Sequence, residues 1–332
     1  MRLLHTADWH AGRTLRGIER TSEIRAALHE IRQIAQHQKV DAVLVAGDIF
    51  DIPNPSAEAE SAVYEFFLEL GLPSVVIAGN HDSPQRLESV AGLLARVKAR
   101  VLGAVRPDIQ ALELELEAGK LVVAGLPFLS ERRLIKAADL LAAPDMGKWR
   151  QKYRDGMRFF INRISQGFRA DAVNILMLHT TLDGGVLSHS EHEFYVGNSY
   201  SLDPQSFPSS AQYVALGHLH KPQELGEAPP VQYSGSIIQL DFGEAGEQKR
   251  VNLIEVAPGK PAKVQHLALS SGKTLYNLQS DLDGLDRRLE DLRGVVGHVK
   301  LKVSLEQPLP GLTDRILNSI KSWGNPEQLF VV

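Results

Sequence analysis

The sequence predicts an α/β fold, a layered core of mixed sheet flanked by helices, followed by a small α+β unit. Three observations predict it: short apolar runs bounded by turn residues recur along the chain, helical patterns separate the first of them, and glycine-rich turns separate later ones. Arg2 to His5, Asp41 to Ala46, Ser74 to Ala78, Leu121 to Ala124, Asn174 to Leu178 and Tyr213 to Leu216 read as buried strands. Between the first three lie Ser22 to Gln36, with Ile24, Leu28, Ile31 and Ala35 at helical spacing, and Glu58 to Leu70, with Ala62, Phe66, Phe67 and Leu70. Val231 to Ser236 and Val251 to Val256 flank Gly243 to Gly246, a pattern that points to antiparallel sheet more than to another crossover, so the core is expected to be mixed. After Pro258, Gly259, Pro261 and the strand-like Lys263 to Leu269 the pattern changes. The expected division is therefore a large domain over 1–268 and a small one over 269–332. The latter carries helix Leu285 to Leu292, strand His298 to Leu305, helix Leu312 to Trp323 and strand Gln328 to Val332. A unit of about 65 residues is small for independent stability.

Composition narrows the functional classes. The 332 residues allow about two domains, one of them able to bury a sizeable core. Lys plus Arg is 36 against 40 for Asp plus Glu, a net charge of −4, so there is no global basic field and any contact with DNA must be local. The absence of cysteine excludes a disulfide framework, a thiolate nucleophile and cysteine-ligated zinc or iron–sulfur sites. A metal would need His, Asp, Glu or Asn ligands. No run approaches the length of a membrane span and the N-terminus lacks a basic, then apolar, leader, so a soluble cytoplasmic protein is expected.

The histidines carry the chemistry. Asp8-Trp9-His10 follows the first apolar run, Gly47-Asp48-Ile49-Phe50-Asp51 the second, Gly79-Asn80-His81-Asp82 the third, His179 the run from Asn174, and Gly217-His218-Leu219-His220 the run from Tyr213. Each alone has an ordinary reading: Asp-x-His as a turn or cap, Gly-Asn-His-Asp as a tight turn, His-x-His as rings satisfying backbone carbonyls. Together, each closing a strand, they can converge, because the ligand crevice of an open α/β sheet lies beyond the carboxyl ends of its strands. Imidazole with carboxylate and amide oxygen suits Mn²⁺, Fe²⁺ or Zn²⁺. Three Asp/Asn oxygens and four imidazoles are too many for one ion with an open position and about right for two, which would need a bridging carboxylate and would clamp phosphoryl oxygens around an activated water.

These motifs resemble the five motifs of the calcineurin-like metallophosphoesterase superfamily, and the segments 4–12 and 47–51 resemble its Mre-type double-strand-break repair nucleases in particular. The resemblance covers about the first 260 residues; the tail resembles that group's capping domain in size and pattern only. It implies one ion, Mn²⁺ by expectation, held by Asp8, His10 and His220, a second held by Asn80, His179 and His218, and Asp48 bridging both. His81 is implied to contact the scissile phosphate and protonate the leaving alkoxide. Asp51 departs from relatives that carry a second His there and resembles the phosphatase branch, in which that Asp orients the catalytic His. The expectation is an Asp51–His81 pair that favours the charged imidazole.

The resemblance further implies double-strand exonuclease and single-strand or hairpin endonuclease activity on DNA, an ATPase partner with long coiled coils, and a homodimer. The dimer is implied to form through helices Glu58 to Leu70 and Gln85 to Val97, which carry Val63, Phe66, Phe67, Leu87, Val90 and Leu94. A phosphomonoesterase or cyclic-nucleotide phosphodiesterase on the same scaffold is the alternative, favoured by the −4 charge and by Asp51. A non-catalytic scaffold is disfavoured by intact ligand types at all seven positions.

Two weaker signals remain. Lys148 to Arg169 places Trp149, Tyr153, Met157, Phe160, Ile161 and Ile164 on one helical stripe, expected in the core. Arg150, Arg154 and Arg158 form another, a solvated face or a phosphate-backbone contact. The loop Gly184 to Ser201, with His189 and His192, reads as a surface or DNA-facing loop rather than a further metal site.

Overall fold

The computed structural model describes residues 1–106, 108–130, 146–188, 201–292, 295–321 and 329–331. Strand β1 (Arg2–Thr6) leads through the hairpin β2 (Thr14–Leu15) and β3 (Ile18–Glu19) into α1 (Thr21–His37), followed by β4 (Ala42–Ala46), α2 (Ala57–Leu70), β5 (Ser74–Ile77), α3 (Pro84–Leu94) and β6 (Ala99–Leu102). Then come β7 (Leu112–Leu116), β8 (Gly119–Leu126), α4 (Met146–Ser165), β9 (Val173–His179), β10 (Tyr213–Gly217), β11 (Gln223–Glu227), β12 (Pro230–Tyr233), β13 (Arg250–Glu255) and β14 (Lys263–Ala268). Local chemistry sets the helix ends. Ser56 Oγ accepts from Ala59 N and Ser83 Oγ from Arg86 N at the starts of α2 and α3, Pro84 occupies the first turn of α3, and left-handed Gly71 stops α2.

These elements build two six-stranded sheets, ordered β14-β13-β1-β4-β5-β6 and β11-β12-β10-β9-β8-β7. In the first, β1, β4, β5 and β6 run parallel and β13 antiparallel to β1. In the second, β8, β9, β10 and β12 run parallel, with β7 and β11 antiparallel at the edges. The core is mixed, as expected. One pairing differs: β12 and β13, on either side of the glycine-rich stretch, do not pair with each other. β12 joins the second sheet and β13 the first. A turn signature marks where a chain reverses and says nothing of which sheet receives the next strand.

The sheets face each other through Leu3, Leu44, Val75 and Ile77 on one side and Leu121, Val123, Ile175, Met177 and Ala215 on the other. On its outer face the second sheet packs Leu176, Leu178, Val214 and Leu216 against Tyr153, Met157, Ile161 and Ile164 of α4, so that part of the aromatic stripe is core. The side chain of Trp149 lies outside the described residues, as do His189 and His192. Burial on both faces explains why these strands read as continuous apolar runs. Arg154 is not a free phosphate contact: its Nη2 donates to both carboxylate oxygens of Asp183, at 3.0 and 2.7 Å, and its Nε to Ser201 O.

Val63, Phe66, Phe67, Leu87 and Leu94, named above for a dimer face, are buried within the chain; Leu68 and Leu93 are the exposed apolar residues of α2 and α3. Among the described residues no helix is long and apolar enough to cross a membrane.

By internal contacts the chain divides into two compact units, one of Met1–Ile238 with Gln248–Ser271, the other of Gln239–Glu247 with Gly272–Val332. The second holds β15 (Leu275–Ser280), α5 (Leu285–Glu290), β16 (His298–Val303), α6 (Leu312–Lys321) and β17 (Leu329–Val331), with the three strands parallel in that order. Its small core is Leu285, Leu289, Leu301, Leu312 and Ile316. The segment Gln239–Glu247 is tied to β15, Gln239 Oε1 accepting from Leu275 N at 2.7 Å.

Candidate metal centre

The loops after β1, β4, β5, β9 and β10 meet at one place in the first unit. The loops after β1 and β4 are zipped together by main-chain bonds from Asp8 N to Gly47 O, His10 N to Asp48 O and Ala11 N to Ile49 O, all 3.0 Å, and from Asp51 N back to Ala11 O. Seven non-glycine residues among those described have positive φ, and four of them are Asp8, His10, Asp48 and His218. The left-handed region costs an L-residue about 1–2 kcal/mol, and its concentration here marks a backbone bent to aim side chains. Neighbouring glycines make room: a Cβ at Gly79 would meet the Asp48 carboxylate and one at Gly47 the His179 ring.

All seven donors expected from the sequence converge. Asp8, His10 and His220 bring ligand atoms within 4.8 Å of one another, as do Asp8, Asp48 and His179, and all five are buried. His10 Nε2 lies 3.1 Å from His220 Nε2 and 3.5 Å from Asp48 Oδ2, and His179 Nε2 lies 3.4 Å from the same Asp48 oxygen. Asn80 Oδ1 sits between His179 Nε2, at 2.9 Å, and His218 Nδ1, at 2.8 Å. Asp48 thus faces both groups of histidines through one oxygen, Oδ2, and Asp8 also lies beside donors of both groups. His81 stands beside them, its ring 4.7 Å from that of His10, its main-chain N–H donating to Asp48 Oδ1 and its Nδ1 to the main-chain carbonyl of Asp51 at 2.7 Å.

This donor set fits divalent cations. Asp8 Oδ2 is buried with no hydrogen-bond partner. His10 Nδ1 donates to Asp51 Oδ1 and His179 Nδ1 to Ala46 O, at 3.0 and 2.8 Å, which turns the Nε2 lone pair of each neutral ring toward other acceptors. Such a cluster calls for positive charge. Without a cation the demand shows as displaced proton affinities: burial pushes the Asp8 carboxyl up to about 7, and against the pull of burial the negative charge of Asp48 lifts His179 to about 9. Burial above all drives His10 down to about 4 and His218 to about 3, keeping them neutral, the form that coordinates.

The structure corrects one expectation. The carboxylate of Asp51 does not pair with His81; it accepts from His10 Nδ1 at 3.0 Å and from Arg13 Nη1 at 3.2 Å, and only its main-chain oxygen reaches His81. Burial opposes its ionisation, but the bond from His10 and the guanidinium of Arg13 hold it down at about 2. Its neighbourhood was legible and its partner was not, because Gly-Asp-x-x-Asp spacing does not say which imidazole the side chain will find.

Two further residues were not anticipated. The Asp82 carboxylate accepts from Ile49 N, Phe50 N and Gly79 N, at 3.2, 3.0 and 2.8 Å, tying the loop that carries Asp48 to the one that carries Asn80. Phe128 stacks on His218, ring centroids 6.1 Å apart and 25° from parallel, and meets His179 edge-on. An acidic residue at the end of a motif was a visible signal for the first. Nothing in the sequence around Phe128 marks the second.

Residues 1–222 match the calcineurin-like phosphoesterase family. The chain is 40% identical to the SbcD subunit of the SbcCD nuclease of Bacillus subtilis over 282 residues, which cover 83% of this chain and 71% of that one. The chain belongs to the SbcD-type calcineurin-like phosphoesterases. The same subunit of Escherichia coli K12 is 32% identical to this SbcD-type chain over 308 residues, 89% of this chain and 75% of that one. Among solved structures, a dimetal phosphatase from Danio rerio aligns over 81% of this chain and 96% of its own, at 11% identity and a TM-score of 0.47. As a member of its family this SbcD-type chain is a metal-dependent phosphodiesterase, and its candidate dimetal site accords with divalent ions as cofactors.

Proposed function

We propose that this SbcD-type phosphoesterase is a Mn²⁺-dependent DNA nuclease, a double-strand exonuclease and single-strand or hairpin endonuclease, that acts with an SbcC-type ATPase in DNA repair and recombination. The observation that carries the reading is the convergence of seven buried or half-buried donors, with His81 beside them, in a chain related to nuclease subunits. Asp8, His10 and His220 would hold one cation, Asn80, His179 and His218 the other, and Asp48 both. Oxygen and nitrogen donors without sulfur suit Mn²⁺. When bound, two such cations supply positive charge for phosphoryl oxygens and lower the pKa of an attacking water.

The chain's own residues do the rest. Asp48 and Asn80 are held by the loops that Asp82 joins, so the donor atoms need no reorganisation as charge develops on the phosphate. His81 donates Nδ1–H to the Asp51 carbonyl, which fixes its ring and leaves proton exchange with the departing sugar oxygen to Nε2. Residues 269–332 would form a capping domain on the DNA-binding side. The exposed Leu68 and Leu93 on α2 and α3 support a homodimer through those helices.

The phosphomonoesterase alternative leaned on Asp51 orienting His81 through its carboxylate, and that contact is absent. The test is release of label from an end-labelled duplex by the purified chain with Mn²⁺, with chelator, and with Asp48→Ala. Mn²⁺-dependent shortening abolished by chelator and by the substitution is expected. Hydrolysis of a small phosphate ester under the same conditions, without DNA cleavage, would overturn the nuclease reading in favour of the alternative.

A further inference from the structure

Arg13 and Asp51 form a chain behind His10 that the phosphodiesterase reading leaves without a role. The His10 ring points Nε2 into the donor cluster and Nδ1 out of it, toward Asp51 Oδ1 at 3.0 Å; the same oxygen accepts from Arg13 Nη1 at 3.2 Å. The backbone fixes all three residues relative to one another. Asp51 N donates to Ala11 O, Ala11 and Phe50 form a parallel bridge, and Arg13 N donates to His10 O at 2.9 Å. The His10 side chain is 1% exposed, that of Asp51 13% and that of Arg13 22%, so the chain runs from the buried cluster outward to water.

A carboxylate on the far nitrogen of an imidazole does two things for a cation on the near one. It holds the ring's rotation and tautomer, and it makes the ring a stronger donor. The guanidinium of Arg13 adds a second constraint, holding the same Asp51 oxygen that His10 uses and compensating its charge in a place largely shielded from solvent. Of the two histidines only His10 donates to the Asp51 side chain, since the hydrogen bond of His81 goes to the main-chain carbonyl and the carboxylate acts on it only through space. Substituting the side chain therefore separates the two histidines: it strips His10 of its support and leaves the hydrogen bond to His81 in place.

We propose that Asp51 and Arg13 are positioning residues for His10, so that they set how tightly the cation position formed by Asp8, His10 and His220 is filled, rather than tuning proton transfer at His81. The inference rests on the two-cation reading of the site, and its test separates the two. Mn²⁺ is titrated into the 332-residue chain, wild type, Asp51→Asn and Arg13→Gln, with free Mn²⁺ read by electron paramagnetic resonance; the pH–rate profile is taken at saturating Mn²⁺.

Asp51→Asn is expected to weaken one of two bound ions by about 10- to 100-fold and to leave the other unchanged. Arg13→Gln is expected to weaken the same ion by a smaller factor, and neither variant to move the acidic or basic limb of the pH profile. Arg13 lies at the outer end of the chain, so its variant keeps the test decisive if Asp51→Asn fails to fold. Both ions bound as in wild type by both variants would overturn the inference alone, as would a shifted limb with unchanged binding, which would put Asp51 behind His81. A wild-type chain that took up no Mn²⁺ would overturn the two-cation reading itself, and this inference with it.

Discussion

Asp82 touches none of the candidate ligand atoms, yet the arrangement of the centre depends on it. Its carboxylate, 5% exposed, accepts three main-chain N–H groups, two beside Asp48 and one beside Asn80. In Asp82→Ala those donors stay buried and lose their acceptor, at about 1–3 kcal/mol each, or roughly 3–9 kcal/mol together. Against this stands the release of a carboxylate whose burial raises its pKa from 3.8 to about 6. Two pKa units return roughly 3 kcal/mol. The balance runs from zero to roughly 6 kcal/mol, centred on about 3 kcal/mol, and for a domain of this size that central loss lowers the melting temperature by roughly 5–10 °C. Mn²⁺ affinity should fall as well, because the loops bearing Asp48 and Asn80 lose their tie while every ligand remains. Thermal unfolding of the metal-free chain at neutral pH, followed by circular dichroism, reads the first effect and a Mn²⁺ titration the second. A melting temperature within about 1 °C of wild type would refute the reasoning, since the three bonds would then contribute no more than the carboxylate's burial costs.

His5 supplies a pH dependence away from the ligands. Burial pushes it from 6.5 down to about 3, so between those values the folded chain binds fewer protons there than the unfolded chain. Its contribution to stability is full above 6.5 and is lost as pH falls through that window, reaching about 2 kcal/mol at pH 5. Urea unfolding of wild type and His5→Gln at pH 7 and pH 5 should show a smaller acid loss in the variant by about that amount, and equal losses would sink the assignment. Gly217 is a steric test: a Cβ there would overlap the Ala46 carbonyl oxygen and come within 2.9 Å of His179 Nδ1, the two partners of one hydrogen bond. Gly217→Ala is expected to cost about 1–3 kcal/mol and to weaken Mn²⁺ binding; unchanged stability and binding would show that the sheets give way at that point.

The sequence showed the centre more clearly than its supports. Asp8, His10, Asp48, Asn80, His179, His218 and His220 each close a strand buried on both faces, so a run of apolar residues followed by a polar loop announces them. Arg13 and Phe128 act through contacts that follow from how the loops pack, and a linear reading carries no signal for such contacts; Asp82 was marked by its place at the end of a motif, but its three main-chain partners were not. Asp51 lies between these cases, its type legible and its partner not. The fold shows the same division. The parallel strands β1, β4 and β5, with α1 and α2 between them, are local patterns and were readable. The assignment of β12 and β13 to different sheets depends on which edge is open, and β15, with only Leu275 fully buried, is too weakly apolar to read as a strand.

Everything proposed for the centre turns on Asp48 joining two adjacent cation positions. The most direct test is the electron paramagnetic resonance spectrum of the chain with one and then two equivalents of Mn²⁺, repeated with Asp48→Asn. The second equivalent is expected to convert the spectrum of an isolated ion into that of a spin-coupled pair, and the substitution to remove the coupling. Two ions bound without coupling, or saturation at a single ion, would contradict it.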